Sequence, residues 1–406
     1  MSRPYTNIIV KRSHVTRDEA LICLNTTSEE FDRLCILTNT HPFVPSKDKL
    51  TNRSTRIQYR LTDIHRIRES EPYKKAHLKI ENERKREVYK SSGRSHRIKE
   101  LADDRMDYGR ILLEKYPSFD DIYEDLGETL TSLIVSERVL VHTRLPNLKL
   151  EQNILAKTQK ELTLFYLYIY LLRPNFKTFL TPSGAFYSIY IQEYEVFWKE
   201  AFPLVDEEDA LGIDTKILYY HMEYNAYLLE KVNFRLFNQL SPALLPCLRE
   251  FRAAPSSGHF KAADILGLIN RVKEVPEYQA LHIATGIFKD MSFYLGESCQ
   301  AIALSLVFLV VATGGTITED PSNCSMYLCT VPPADFQASI PYAHPQIIYD
   351  SINRQAPQDI AAYRPGTEIP DHVSPFQSSL QQGELDLINT TQRRKDKIND
   401  LLLHRK

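Results

Sequence analysis

Several absences narrow the function of this chain. No Cys-x-x-Cys occurs, and Cys23, Cys35, Cys247, Cys299, Cys324 and Cys329 stand in apolar or mixed surroundings. Cys324 and Cys329 are close, yet no second pair follows at zinc-site spacing, so buried reduced thiols of an intracellular protein are expected. The longest apolar run, Ala301 to Ala312 with Ser305 its only polar member, has 12 residues where a bilayer span takes about 20. It reads as a buried helix. Met1-Ser2-Arg3-Pro4-Tyr5 opens without a signal-peptide core. Phosphate-binding Gly-rich loops ending in Lys-Ser/Thr, His-Glu-x-x-His and Gly-x-Ser-x-Gly are all missing, and the 12 histidines are scattered. No catalytic residue, metal ligand or cofactor is therefore expected.

Apolar content of 43% with 25% charged residues is globular, and 406 residues suit two or three domains. The net charge of −2 hides an asymmetry. Residues 1–110 hold 24 Lys/Arg against 16 Asp/Glu, leaving 26 against 36 for the remainder. A basic amino-terminal quarter on an acidic body points to a local polyanion contact.

Helix starts are written clearly near the beginning. Thr16 with Glu19, and Thr27 with Glu30, have capping-box spacing, where each side chain satisfies an orphan backbone N–H. Phe31, Leu34 and Cys35 then fall on one helical face. Ser46 to Thr55 reads as a polar connection. Further on, Tyr116-Pro117 ends a helix, because proline disfavours helical geometry in the residue before it. Ser118 can cap the next helix, with Asp120 and Asp121 in its first turn. That acidic turn explains the carboxylates without acid–base chemistry.

Between Tyr73 and Arg110 the chain is dense in charge and is interrupted at Gly93. Two readings stand. One is a solvated helix laced with i,i+4 ion pairs; the other is a surface contacting nucleic-acid phosphates. For the second, the candidates are Lys79, Arg84, Lys85, Arg86, Lys90, Arg94, Arg97 and Lys99, chosen by charge alone.

Leu162 to Leu172 is apolar apart from Thr163 and reads as a buried helix after a polar lead-in from Glu151. Phe176 to Trp198 is aromatic and β-branched around Pro182-Ser183-Gly184, which predicts two strands in a hairpin. Tyr166, Tyr168, Tyr170, Tyr187 and Tyr190 suit core packing better than a base-stacking platform. Ile217 to Phe237 predicts a helix, and Ser256-Ser257-Gly258 opens a linker with one helix near 262–271. From Ile287 the order becomes β-α-β-β-α: strands at Met291–Leu295, around Ile317 and at Met326–Val331, helices at Ser298–Ala312 and Pro345–Arg354. Gly314-Gly315 supplies the helix-ending turn. Glu384 to Arg405 has helical spacing, and its Arg393-Arg394-Lys395 reads as a nuclear-localisation or RNA contact or as a solvated face.

Three stretches together resemble the pescadillo family of ribosome-assembly proteins: Val15-Thr16-Arg17 with Ser28–Leu37, Tyr-Pro-Ser-Phe at 116–119 with its acidic helix, and Val232-Asn233-Phe234-Arg235-Leu236-Phe237. The β-α-β-β-α order with its Gly-Gly turn resembles a BRCT domain, and Arg364-Pro365-Gly366 through Ser374-Pro375-Phe376 resembles that family's version. The resemblance covers roughly residues 14–376. It implies an α+β protein: a mostly helical pescadillo-like domain with a small β-hairpin (1–254), a linker (255–284), an α/β BRCT-like domain with a short parallel sheet (285–376), and a basic helix or tail (377–406).

The implied role is a non-catalytic nucleolar scaffold of large-subunit assembly. It would bind pre-rRNA and act in a PeBoW-type complex with β-propeller-containing partners and pre-60S particle proteins, without a membrane. Two departures stand out. Ile347 occupies the place of the usual core Trp before Asp350, and residues 332–346 hold no Lys or Arg. A phosphate there would lose a charge-assisted contact worth about 1.5–3 kcal/mol, so a structural or protein-docking module is expected. The alternative is a nuclear BRCT adaptor for DNA-repair or cell-cycle partners.

Overall fold

A computed structural model describes residues 13–43, 57–142, 148–201, 215–256, 259–279, 281, 283–333, 337 and 339–376. The connection at 46–55 and the basic tail from 377 lie outside the described residues. The chain folds as α+β, with helices dominating two small antiparallel sheets and one parallel sheet.

A small amino-terminal unit comes first. Strand β1 (His14–Thr16) pairs antiparallel with β2 (Gln58–Arg60), around helices α1 (Arg17–Leu24), α2 (Ser28–Leu37) and α3 (Leu61–Glu69). Its core is its own: Val15, Leu24, Phe31, Leu34, Tyr59, Ile64 and Ile67 are buried together. The Thr16–Glu19 capping box forms in full. At Thr27 only half forms: its hydroxyl accepts from the Glu30 N–H at 3.2 Å, while the Glu30 carboxylate lies 3.9 Å from Arg33. A guanidinium one turn ahead competes for that carboxylate.

Next come α4 (Glu71–Ser91), α5 (Tyr108–Lys115) and α6 (Asp121–His142). The expected stop at Tyr116 is present, and Asp121 accepts from the Ser118 N–H at 3.0 Å. Helix α7 (Leu148–Leu172) is the central post of the body. Leu162, Leu164, Phe165, Tyr166, Leu167 and Ile169 are fully buried, which explains a run with no polar side.

The segment expected as a two-stranded hairpin is a three-stranded meander. Strands β3 (Lys177–Thr181), β4 (Gly184–Ile191) and β5 (Tyr194–Ala201) lie in that order. The second turn was hidden because Gln192-Glu193 contains no Gly, Pro, Asn or Asp, although Gln192 takes a φ of 55°. Helix α8 (Thr215–Leu240) packs on α6 and α7, followed by α9 (Leu245–Ala253).

The stretch 255–284, expected as a linker, carries α10 (Ala262–Lys273) and the short α11 (Pro276–Gln279). Phe260, Ile265, Leu268, Ile269 and Val272 enter the main core there. The carboxy-terminal part has strands β6 (Ser292–Leu295), β7 (Thr316–Ile317), β8 (Met326–Leu328) and β9 (Tyr342–Ala343), with helices α12 (Ala303–Ala312) and α13 (Gln346–Asn353). Its sheet is wholly parallel, ordered β7-β6-β8-β9. The two-residue β9 is an addition to the expected order, too short to leave a periodic signal. Ile347 is fully buried in α13.

This part shares the body's core. Phe308 of α12 has its ring centroid 4.2 Å from Tyr166 and 5.7 Å from both Phe176 and Tyr187. Beside it, the Tyr187 hydroxyl lies 2.5 Å from Ser305 Oγ and 2.9 Å from the buried Glu200 carboxylate; Ser305 reaches Tyr349 at 2.5 Å. The open edge of β3 is closed by side chains instead of a strand. Asn353 Oδ1 accepts from the Thr178 N–H at 2.9 Å, and its Nδ2 donates to the Thr178 carbonyl at 2.8 Å. His372 Nε2 accepts from the Leu180 N–H at 2.9 Å, so Nδ1 holds the proton and donates to Asp350 at 2.7 Å. Backbone groups that would otherwise template another strand are thereby satisfied.

Candidate nucleic-acid interface

The eight charge-selected residues lie along α4, the turn at Gly93-Arg94 and the 3-10 helix that follows, Ser95–Glu100. Ser70 caps α4 by accepting from the Tyr73 N–H at 3.4 Å, and Pro72 fits the first turn, where no intrahelical N–H is needed. The far end closes in a Schellman pattern. Gly93 N–H donates to Lys90 O at 3.3 Å and Arg94 N–H to Tyr89 O at 2.8 Å, with Gly93 at φ +68°. The break at Gly93 thus turns the chain and keeps the cations that follow it next to the helix end.

Lys79, Arg84, Lys85, Lys90, Arg94, Arg97 and Lys99 are exposed. Arg86 is not available in the same way. It is half-buried and donates to Asp104 at 2.8 Å. Hydrogen bonds from Asn82 and then the Arg86 guanidinium hold the Asp104 carboxyl below the usual carboxylate range. At 100° per residue, Lys79, Arg86 and Lys90 project to one side of α4, while Arg84 and Lys85 point to others. The single cationic surface expected from the sequence is therefore spread around the arm. Lys85 also lies 3.6 Å from Glu81, but both groups are largely exposed and such a pair is worth little.

Asn82 is what holds the arm. It is 1% exposed and donates to the Ala102 carbonyl at 2.8 Å and to Asp104 at 2.9 Å. Charge counting missed it, although a poor helix former inside a charged helix signals a side-chain hydrogen bond. From Glu83 onward only Arg86 and Tyr89 of this helix are half-buried; the rest face solvent. Such a helix end can lay ammonium and guanidinium groups along a phosphate backbone, with no means of reading bases.

The other sequence candidates have structural settings. Tyr166, Tyr168, Tyr170 and Tyr187 are buried, whereas Tyr190 is 53% exposed. Asp121 caps its own helix start, and Asp125 accepts from Tyr116 at 2.7 Å. Among the described residues no cluster of His, Cys, Asp and Glu could hold a metal ion, and no helix is long and apolar enough to cross a membrane. Ser298, exposed beside the carboxy-terminal sheet, already accepts from the Thr330 N–H at 3.0 Å.

Residues 8–261 match the family described as Pescadillo N-terminus. Similarity extends further, to a Pescadillo homolog of Brugia malayi, 25% identical over 92% of this chain and 76% of that protein. A Pescadillo homolog of Caenorhabditis elegans is 23% identical over 90% of this chain and 75% of its own length. One from Arabidopsis thaliana is 23% identical over 91% and 72%.

Proposed function

This chain belongs to the pescadillo family, and from that premise we propose that it is a non-catalytic, nucleolar assembly factor of the large ribosomal subunit. The match over residues 8–261 carries the reading. In mechanism the protein is a scaffold. The arm formed by α4 and the turn at Gly93 contacts pre-rRNA phosphates through Lys79, Arg84, Lys85, Lys90, Arg94, Arg97 and Lys99. Arg86 instead braces the arm against Asp104. Other faces dock β-propeller-containing partners of a PeBoW-type complex and proteins of the pre-60S particle, which supports spacer processing.

The carboxy-terminal sheet, residues 285–376, acts in this reading as a BRCT-like module. Its parallel strand order β7-β6-β8-β9, with α12 packed against β7, supports that assignment. The absence of Lys or Arg from 332–346 favours protein docking over phosphate reading.

RNA crosslinking followed by sequencing tests the proposal. Enrichment of pre-rRNA spacer and large-subunit rRNA is expected, and it should fall sharply when Arg84, Lys85, Lys90 and Arg94 are all changed to Glu. Recovery of DNA-repair or cell-cycle phosphoproteins without rRNA would overturn it in favour of a nuclear adaptor.

A further inference from the structure

The four parallel strands alternate their side chains between two faces. Phe293, Met326, Leu328 and Ala343 turn into the core. On the opposite face the register aligns Tyr294 with Tyr327 and Tyr327 with Tyr342, one tyrosine from each of three neighbouring strands. Their ring centroids are 4.7 and 4.8 Å apart, so the rings form a continuous ladder. The middle ring lies against Gly296, where an added Cβ would come 2.7 Å from Tyr327 Cε1; any side chain there would displace the ladder. Beside these rings is a cleft of about 490 Å³ whose lining includes Glu297 and Pro332.

Charge identifies what fits. Among the described residues lining the cleft, Glu297 is the one charged residue, and it is exposed at the rim. No lysine or arginine occurs from Asp290 to Asn353, a stretch holding Asp290, Glu297, Glu319, Asp320, Asp335 and Asp350. Tyrosine faces attract cations, most often guanidinium, and a carboxylate at the edge adds a charge-assisted hydrogen bond. The described residues lining the cleft offer an anion no lysine or arginine.

We propose that this tyrosine-lined cleft binds an arginine-rich segment of a protein partner. The inference does not depend on the ribosome-assembly reading. An arginine side chain lies over the Tyr294 ring, and one pairs with Glu297. The partner is thus recognised by a charge opposite to that of the nucleic acid assigned to the α4 arm.

Fluorescence anisotropy with the full chain tests this, using a labelled twelve-residue peptide of alternating Arg and Ser at 0.15 M salt. Saturable binding is expected. It should weaken about tenfold in Glu297→Gln, which alters an exposed side chain, and about fivefold in Tyr294→Leu. Circular dichroism establishes that each variant is folded; if Tyr294→Leu is not, Glu297→Gln alone decides. Absent binding, unchanged binding in both folded variants, or tighter binding of a phosphoserine peptide or oligouridine would overturn the proposal. The chain's own Arg393-Arg394 is a rival occupant. Unchanged peptide affinity in the Arg393→Glu, Arg394→Glu double variant supports an external partner; a tenfold gain overturns that assignment.

Discussion

From Lys79 to Lys99 the chain holds its cations on an arm whose one deeply buried anchor is Asn82, whereas from Asp290 to Asn353 it has no lysine or arginine and buries most of α12 and α13. The two regions treat water in opposite ways. On the arm, charge stays solvated and free to exchange counterions for phosphates. In the carboxy-terminal part, apolar and aromatic groups leave water to complete the core of the body. Binding capacity and stability are therefore carried by different residues, and substitutions should separate them.

The largest effect is expected at Phe308, which seats α12 among Tyr166, Phe176 and Tyr187. Phe308→Ala should cost about 3–5 kcal/mol, through lost burial and the cavity left behind. Trp198, the only tryptophan and fully buried in β5, reports on the body. Its fluorescence transition in urea should shift to lower denaturant in the variant. An unshifted Trp198 transition would mean that the two parts unfold independently, and the shared core would lose its meaning.

A smaller, pH-dependent effect belongs to Glu200. Full burial pushes its carboxyl from an ordinary 4.5 up to about 7, against the opposing pull of the Tyr187 hydrogen bond and the Arg138 charge. Because the folded-state value is raised, the folded protein favours the protonated form. That contribution is complete below pH 4.5 and is lost as pH rises through about 7, an effect of about 3 kcal/mol. Glu200→Gln mimics the protonated group. Its melting temperature relative to the native chain should rise between pH 5 and pH 8; a constant difference across that range would exclude ionisation of Glu200 as the cause.

Least change in stability is expected on the arm. Arg84→Ala, Lys90→Ala and Arg97→Ala should each stay within about 0.5 kcal/mol, because their side chains are exposed. Their effect should appear in RNA affinity. The salt dependence of binding should flatten by roughly 0.7–0.9 in slope for each phosphate contact removed. A melting temperature that fell with the RNA affinity would blur the division between the two regions.

Local signals were the legible ones. Thr16, Tyr116-Pro117 and Gly93 each control their own few residues, and their effects survive folding nearly unchanged. The three-stranded meander read as a two-stranded hairpin because Gln192-Glu193 carries no turn chemistry. The eight arm cations were found by composition, yet composition does not show which cation has a carboxylate waiting 18 residues away, as Arg86 does at Asp104. The tyrosine ladder was equally invisible, since Tyr294, Tyr327 and Tyr342 become neighbours through strand register alone.

The sequence by itself determined the helix starts and stops, the basic quarter, the absence of metal and nucleophile motifs, and the pescadillo resemblance, because each is a property of short stretches or of totals. Only the tertiary structure decided that Phe260 and α10 join the core and that Asn353 and His372 close the edge of β3. It likewise set three tyrosines beside an acidic rim. Those contacts join residues far apart in the chain, where apolar burial and backbone hydrogen bonding select the partners and no local pattern records them.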